Sequence, residues 1–554
     1  MSMRRCRLGV WAGLLALGVL AGGPAAAQTV SSVEQAVAGQ TTIIERFTPP
    51  PRVGSIDITV EDARRRVPEA AAGKVRLTLR SLTVEGADSV PYETLAPIWR
   101  DRIGTEVSVA DLYRMAEAVD AAYLRAGYFS MTIVPVQDFR SGRITLRVYE
   151  SWVARVEIKS SVPGIERRLA PYLDRIMAMR PIRVKEAERI LLLMSDLGGM
   201  EIEGTFVRPD TPTGGGLLEL EVGFDRRAGA VGLDNLGTDA VGPLELSANV
   251  AFSDLFGLFE TTSLVAVTVP DSPSEMRLLQ FTQDLPIGHD GLMLGYGFTH
   301  IGQRPGGDLK AQHIEIETNI ASARLSYPFV RTLDTSLTGE LEVNARTDDV
   351  HLAGASVQDI RVNWLLGSLR AQREVGGGSL SGSVGLGQGL GHDLVRADVP
   401  DDFRLGRIDL DFSRPLDERT SLRLRAAGQY AATPLPAAVQ FALGGDPYGQ
   451  AFDGGSLVGD SGAAAAVELD RAVDTGLPLL GTVSLLAIAD WGVVWNHDTG
   501  ADYARGTLGS AGVGFSGLLR DRVSYQVLAV VPWDATNAVD DPGTRVFFRL
   551  GWLL

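Results

Sequence analysis

Residues 244–252 read LELSANVAF, in which Leu244, Leu246, Ala248, Val250 and Phe252 alternate with Glu245, Ser247 and Asn249. A period of two places each set on one face of a β-strand. The pattern returns where Leu337, Leu341, Val343 and Ala345 oppose Ser336, Thr338, Glu340, Glu342 and Asn344, and where Leu422, Leu424 and Ala426 oppose Arg423 and Arg425. From about residue 228 to 554 the chain carries such runs, many glycines and almost no helical periodicity. About 325 residues of strand without a helix exceed an ordinary sandwich. One apolar and one polar face per strand suits a transmembrane β-barrel, with lipid outside and a polar lumen inside. At roughly twenty residues per strand and connection, the region holds about sixteen strands. A soluble β domain is the competing reading.

The sequence upstream is of other kinds. Residues 1–27 (MSMRRCRLGVWAGLLALGVLAGGPAAA) combine arginines, an apolar run from Val10 to Ala21 and a small-residue end, which is the pattern of a secretory signal peptide. Cleavage after Ala27 would remove Cys6, the only cysteine, and with it any disulfide or thiol chemistry. No later window approaches eighteen consecutive apolar residues, so a membrane span would have to be a barrel. Mean hydropathy is +0.08, and the net charge of −16 argues against nucleic acid as a partner. Residues 28–74 read as a polar segment and linker with a stiff FTPPPR at Phe47–Arg52. Within it, VSSVEQAVAG at Val30–Gly39 has the makings of a short helix that would plug a barrel.

Residues 75–150 and 151–225 read as two copies of one α+β module, each ordered strand, helices, strand, strand. In the first copy Ser108 and Asp111 have capping-box spacing, and Leu112, Met115, Ala116, Val119 and Tyr123 share a helical face. YFSMTIVPVQDF and GRITLRVYE then form a hairpin with Gly142 in its turn. The second copy passes from VARVEIKS through ERRLAPYLDRIM and VKEAERILLLMSDL to MEIEGTFVRP and GGLLELEVGF.

FALGGDPYGQAFDGGSLVGDSG, residues 441–462, is glycine-rich but contains no lysine and opens no clear helix, so it is not a phosphate cradle. The six histidines have no metal-ligand spacing, and Ser456 and Ser461 near Asp460 lie in no nucleophile elbow. Neither a catalytic centre, a metal site nor a cofactor is read from the residues.

Taken together the chain resembles the outer-membrane transporters of two-partner secretion, the haemolysin secretion/activation family. The resemblance rests on Gly127, Tyr128, Pro135, Gln137 and Gly142 in the first module, and on Asp196, Leu197 and Gly199 in the second, where Gly198 replaces the usual proline. It extends to Asp234, Asn235 and Gly237 at the barrel opening and to the terminal strand TRVFFRLGWLL, which ends in Leu554 rather than the usual aromatic residue. It implies periplasmic polypeptide-transport-associated (POTRA) modules at 75–150 and 151–225 and an outer-membrane barrel at 226–554. By the same resemblance the glycine-rich stretch is the sixth extracellular loop, folded back into the lumen. Its tip falls on Gly449, Gln450, Ala451, Phe452 and Asp453, and its wall partner on Asp490 with Gly492. The family's tip arginine is Gln450 here, which can donate a hydrogen bond to Asp490 without the bidentate fork. The implied partners are a secreted polypeptide, expected to be a large β-helical exoprotein, the outer-membrane lipid and the barrel-assembly machinery during biogenesis. A factor inserting other barrels is the alternative function, and a barrel enzyme the third.

Overall fold

The computed structural model describes Gln40, Thr41, Ile43, Ile44, Arg46, Phe47 and residues 54–554, apart from 55, 62–68, 208–212, 239–240, 394–398, 478–479, 498–502, 521, 538 and 540. The expected signal peptide with Cys6, and the segment Val30–Gly39, lie outside the described residues.

Sixteen antiparallel strands close into a barrel, each paired with its neighbour in sequence and the last with the first. Closure removes every open edge and satisfies the backbone within lipid. The alternation read from residues 244–252 orders the wall: Glu245 is fully buried inside, while Leu246 and Leu264 are exposed outside. The wall is uneven. Strands Ile314–Arg331, Thr335–Leu352 and Ala355–Val375 run 18, 18 and 21 residues. The first strand, Arg227–Asp234, and the last, Arg545–Leu553, have 8 and 9 and pair only from Ala230↔Leu553 to Asp234↔Arg549. Past the end of that ladder the Asn235 amide continues it, donating to Val546 O at 3.0 Å and accepting from Phe548 N at 2.6 Å.

The first module packs helix Val109–Arg125 on a three-stranded sheet. Ser108 and Asp111 form the expected capping box, and Leu112, Met115, Ala116, Val119 and Tyr123 are buried. The expected single strand over 75–86 is two, Arg76–Thr78 and Ser81–Glu85, in different sheets. The second module sets helices Ile165–Met177 and Val184–Ser195 against strands Trp152–Ser160, Met200–Val207 and Gly215–Phe224.

One further strand corrects the loop-like reading of residues 28–74. Ile56–Glu61 joins the second module's sheet, parallel to Met200–Val207, with Ile56 paired to Ile202. Edge pairing gives this segment backbone partners that a linker would otherwise find only in water.

The second module is seated on the barrel's near turns. Arg168 forks onto Asp254 at 2.7 and 2.6 Å and lies 3.7 Å above the Phe259 ring. Arg189 donates to Pro328 O at 2.8 Å, and Gly198 N to Phe259 O at 3.0 Å. Burial pushes the Asp254 carboxyl up, but the Arg168 guanidinium and the Phe259 N–H outweigh it and hold it below its ordinary value. Burial also pushes the Tyr172 phenol, edge-on to His289, up to about 12.

Candidate functional site: an occupied lumen

Two elements fill the barrel. The first is the loop between strands Thr420–Ala431 and Ser461–Asp474, the sixth on the side away from the modules. It folds into a knot in which Gly445 N donates to both Gly449 O and Phe452 O at 3.0 Å, and Gly444 N to Tyr448 O at 2.8 Å. Gly449 has φ +87°, and a Cβ there would sit 3.1 Å from Gly444, so the turn needs glycine. Phe452 and Ala451 are buried with Leu443, Leu457, Leu508, Leu528, Val530 and Phe547.

At the tip, Gly449 N donates to Asp490 Oδ1 at 2.6 Å and Gln450 N to Asp490 Oδ2 at 3.4 Å. Ala451 N donates to Ser510 Oγ at 2.9 Å, and Ser510 is the register partner of Asp490 on the next strand. The expected bond from the Gln450 side chain is therefore replaced by a nest of main-chain N–H groups around the carboxylate, which suits an anion without a cation. Gly492 makes the wall flat where the loop lands: a Cβ there would sit 2.5 Å from the Leu443 side chain.

Ionic anchors are present in the sense opposite to the family's loop arginine, with carboxylates on the loop and guanidinium groups on the wall. Asp453 accepts from Arg545, and Asp446 lies 3.3 Å from Arg425 and 3.8 Å from Arg549. Beside the loop lies a cavity of about 360 Å³ lined by Arg407, Asp409, Asp411, Arg423 and Tyr448 among others. Arg423 pairs there with Asp411 at 2.5 Å.

The second element is helical. Gln40, Thr41, Ile43, Ile44, Arg46 and Phe47 all have helical backbone, so helix lies beyond Gly39, the end expected from the sequence. The reason is apolar: Ile43 is fully buried among Val241, Val265, Val267, Met276, Leu278 and Ile301, with Ile44 and Phe47 packed alongside. Arg46 reaches both Asp234 oxygens at 2.7 Å and also Glu245. Gln40 donates to Gln303 at 2.6 Å and accepts from Arg346 at 2.8 Å. A guanidinium fork between two carboxylates is the strong, directional form of such a bond.

The predicted module residues fall elsewhere. The Gln137 amide donates to Pro135 O and Thr145 O and accepts from Thr145 N, closing the hairpin where its ladder lapses. Gly142 takes φ +66° beneath Thr78 O. Tyr128 bridges to Arg183 where the two modules meet. Asp196 belongs to neither the loop nor the helix, yet it joins three segments: it accepts from Arg331 at 2.8 and 2.7 Å and from Gly54 N at 2.8 Å, while Arg331 also donates to Gly54 O. Sequence reasoning singled out Asp234 but not its partner Arg46, nor Arg331, Asp446, Arg545 or Arg549. The usable signal was luminal register, which puts Arg545 and Arg549 on the same face as Phe547.

Comparison with known proteins places this geometry. The model of the haemolysin secretion/activation proteins ShlB/FhaC/HecB matches residues 223–517, and the ShlB-type POTRA domain matches residues 77–151. The chain is 25% identical to the outer membrane transporter CdiB of Escherichia coli over 504 residues, covering 81% of this chain and 78% of that one. It is 22% identical to the heme/hemopexin transporter protein HuxB of Haemophilus influenzae over 261 residues, 46% of this chain and 45% of that one. Among solved structures it is similar to CdiB from Escherichia coli, with TM-score 0.72 at 18% identity over 95% of this chain and 99% of that one. BamA from Haemophilus ducreyi gives TM-score 0.52 at 11% identity over 85% and 99%.

Proposed function

Because the chain belongs to the haemolysin secretion/activation family, whose model spans more than half of it, we propose a specific reading of how it works as an outer-membrane transporter. Its modules take a secreted polypeptide in the periplasm, and the polypeptide then crosses through the barrel to the surface. The observation that carries this is the occupied lumen: a loop and a helix fill the pore, each held by apolar packing, ion pairs and hydrogen bonds rather than by the barrel ladder. Such contacts exchange without unfolding the wall. The cargo is expected to be a large β-helical exoprotein whose folding outside draws it through, since the sequence carries no nucleotide motif. The barrel is a pore and not an enzyme, and it takes no cofactor. The barrel-assembly machinery inserts it.

The first module offers short strands whose exposed main-chain groups can pair with an extended segment of cargo. Co-expression with a secreted protein encoded next to this chain tests the reading. Release of that protein into the medium, abolished by deleting residues 75–150 from a barrel that still inserts, is the expected result. Loss of other outer-membrane barrels from cells lacking this chain, with secretion unaffected, would instead favour the alternative reading, an assembly factor.

A further inference from the structure

We infer that Arg549 is a positioning residue for transport: when Arg46 leaves with the luminal helix, Arg549 exchanges Asp446 for Asp234 and so loosens the loop. The inference rests on the reading that both luminal elements must move.

Asp234 and Glu245 are register partners on the first two strands, facing each other inside the barrel. Arg46 lies between them, and all three side chains are less than a tenth exposed. Withdrawing the helix strips Arg46 from this pair of carboxylates, and an uncompensated buried charge is strongly unfavourable. The nearest replacement is already in line, because Arg549 is the register partner of Asp234 on the other side, across the closing seam.

Arg549 also reaches the loop. Its contact with Asp446 is 3.8 Å, longer than the 3.3 Å from Arg425 to the same carboxylate. Asp446, Asp234, Arg46 and Arg425 are among its charged neighbours. With Arg46 present, Asp234 is satisfied and the second cation repels Arg549. With Arg46 gone, both effects reverse. Asp446, which lies on the loop four residues from Gln450, would then keep one arginine where it had two. The helix and the loop tip are thus coupled through two side chains and one seam.

The test uses the full chain with Cys6→Ser, reconstituted in liposomes, with Ala451→Cys and Ser510→Cys as a reporter of tip docking. The 2.9 Å contact between these residues makes oxidative cross-linking a measure of how long the tip stays seated. Arg46→Gln should lower the cross-link yield about three- to tenfold, the size of coupling between interacting charges. Adding Asp234→Asn should restore it, since Arg549 then has no anion to move to. In Arg549→Gln the yield should be low already and indifferent to Arg46→Gln, whereas Arg549→Lys should retain the response. An Ala321→Cys/Ala345→Cys pair, in register on the long wall, should cross-link in every variant and reports that the barrel has formed. No change on Arg46→Gln, or a loss that Asp234→Asn does not reverse, would overturn the coupling while leaving cargo export itself untouched as a separate question.

Discussion

The barrel has two unlike sides. On one, three successive strands of 18 to 21 residues pair along nearly their whole length. On the other, strands of 8 and 9 residues meet over a five-residue ladder prolonged by the main-chain and side-chain amides of Asn235 and by Leu554 N to Gly229 O. Backbone pairing in a barrel is cooperative along the strand, so the long side is the part least able to rearrange. The luminal elements respect this difference. Gln40 and Arg346 tie the helix to the long side, whereas Arg46 and Asp453 tie the helix and the loop to strands at or next to the seam. The long side is a foundation, and under the coupling inferred above the seam is where occupancy of the lumen is sensed.

The strongest way to break this contrast is at the foot of the long side. Arg331→Ala removes two bonds to Asp196 and one to Gly54; truncating one partner of a buried charge pair costs about 2–5 kcal/mol. Residues 54–61 should become sensitive to limited proteolysis while strand pairing above Arg331 persists. Unchanged proteolysis would mean that the strand pairing of Ile56–Glu61 holds the linker unaided.

A smaller change sharpens the other side. Asn235→Ala leaves Val546 O and Phe548 N without their side-chain partner, a loss of about 1–3 kcal/mol confined to the seam. Hydrogen exchange at Phe548 should accelerate while amides of Thr335–Leu352 stay protected; equal acceleration on both sides would abolish the distinction.

The modules' seat near the seam should respond to acid. Asp254 has its folded-state titration depressed, so its contribution is present above the ordinary carboxylate pKa of about 4 and is lost as pH falls below that value. The Arg168 side chain keeps 27% exposure, and such a pair contributes about 1 kcal/mol or less. A distance probe between the second module and the barrel should hold from pH 7 to about 4 and lengthen only below it. Asp254→Asn should remove that dependence.

The smallest effect is expected at the loop tip. Restoring an arginine with Gln450→Arg adds a cation beside a carboxylate that main-chain N–H groups already serve. Open probability in planar bilayers should fall by no more than a shift of about 0.5 kcal/mol, and Asp490→Ala in the same chain should reverse it. A large drop would show that the nest is a poor substitute for the ion pair.

How far these contacts could be read from sequence follows from their range. Alternation is local, so Leu244–Phe252 was enough to identify wall and lumen faces, while the loop around Gly449 was located through its resemblance to the family's. The helical face of Val109–Arg125 was equally plain. The pairing of Arg46 with Asp234 joins residues 188 apart and leaves no periodic trace. At the tip, Asp490 is held by backbone, which side-chain identity cannot report. Ile56–Glu61 did carry a signal, since Ile56, Ile58 and Val60 alternate with Asp57, Thr59 and Glu61, but six residues beside a proline-rich stretch read as linker.

The clasp on Gly54 also fixes a direction of travel. Gly54 lies eight positions after Arg46, and a chain of that length reaches at most about 29 Å even when drawn straight. Gly54 is fastened at the module end of the barrel, beside Arg331. While that fastening holds, the helix hangs on a short tether whose far end lies on the periplasmic side. On the proposed reading the helix is thus a stopper on a chain: however it moves as cargo passes, it stays within about 29 Å of its fastening, and resealing the pore needs no new partner.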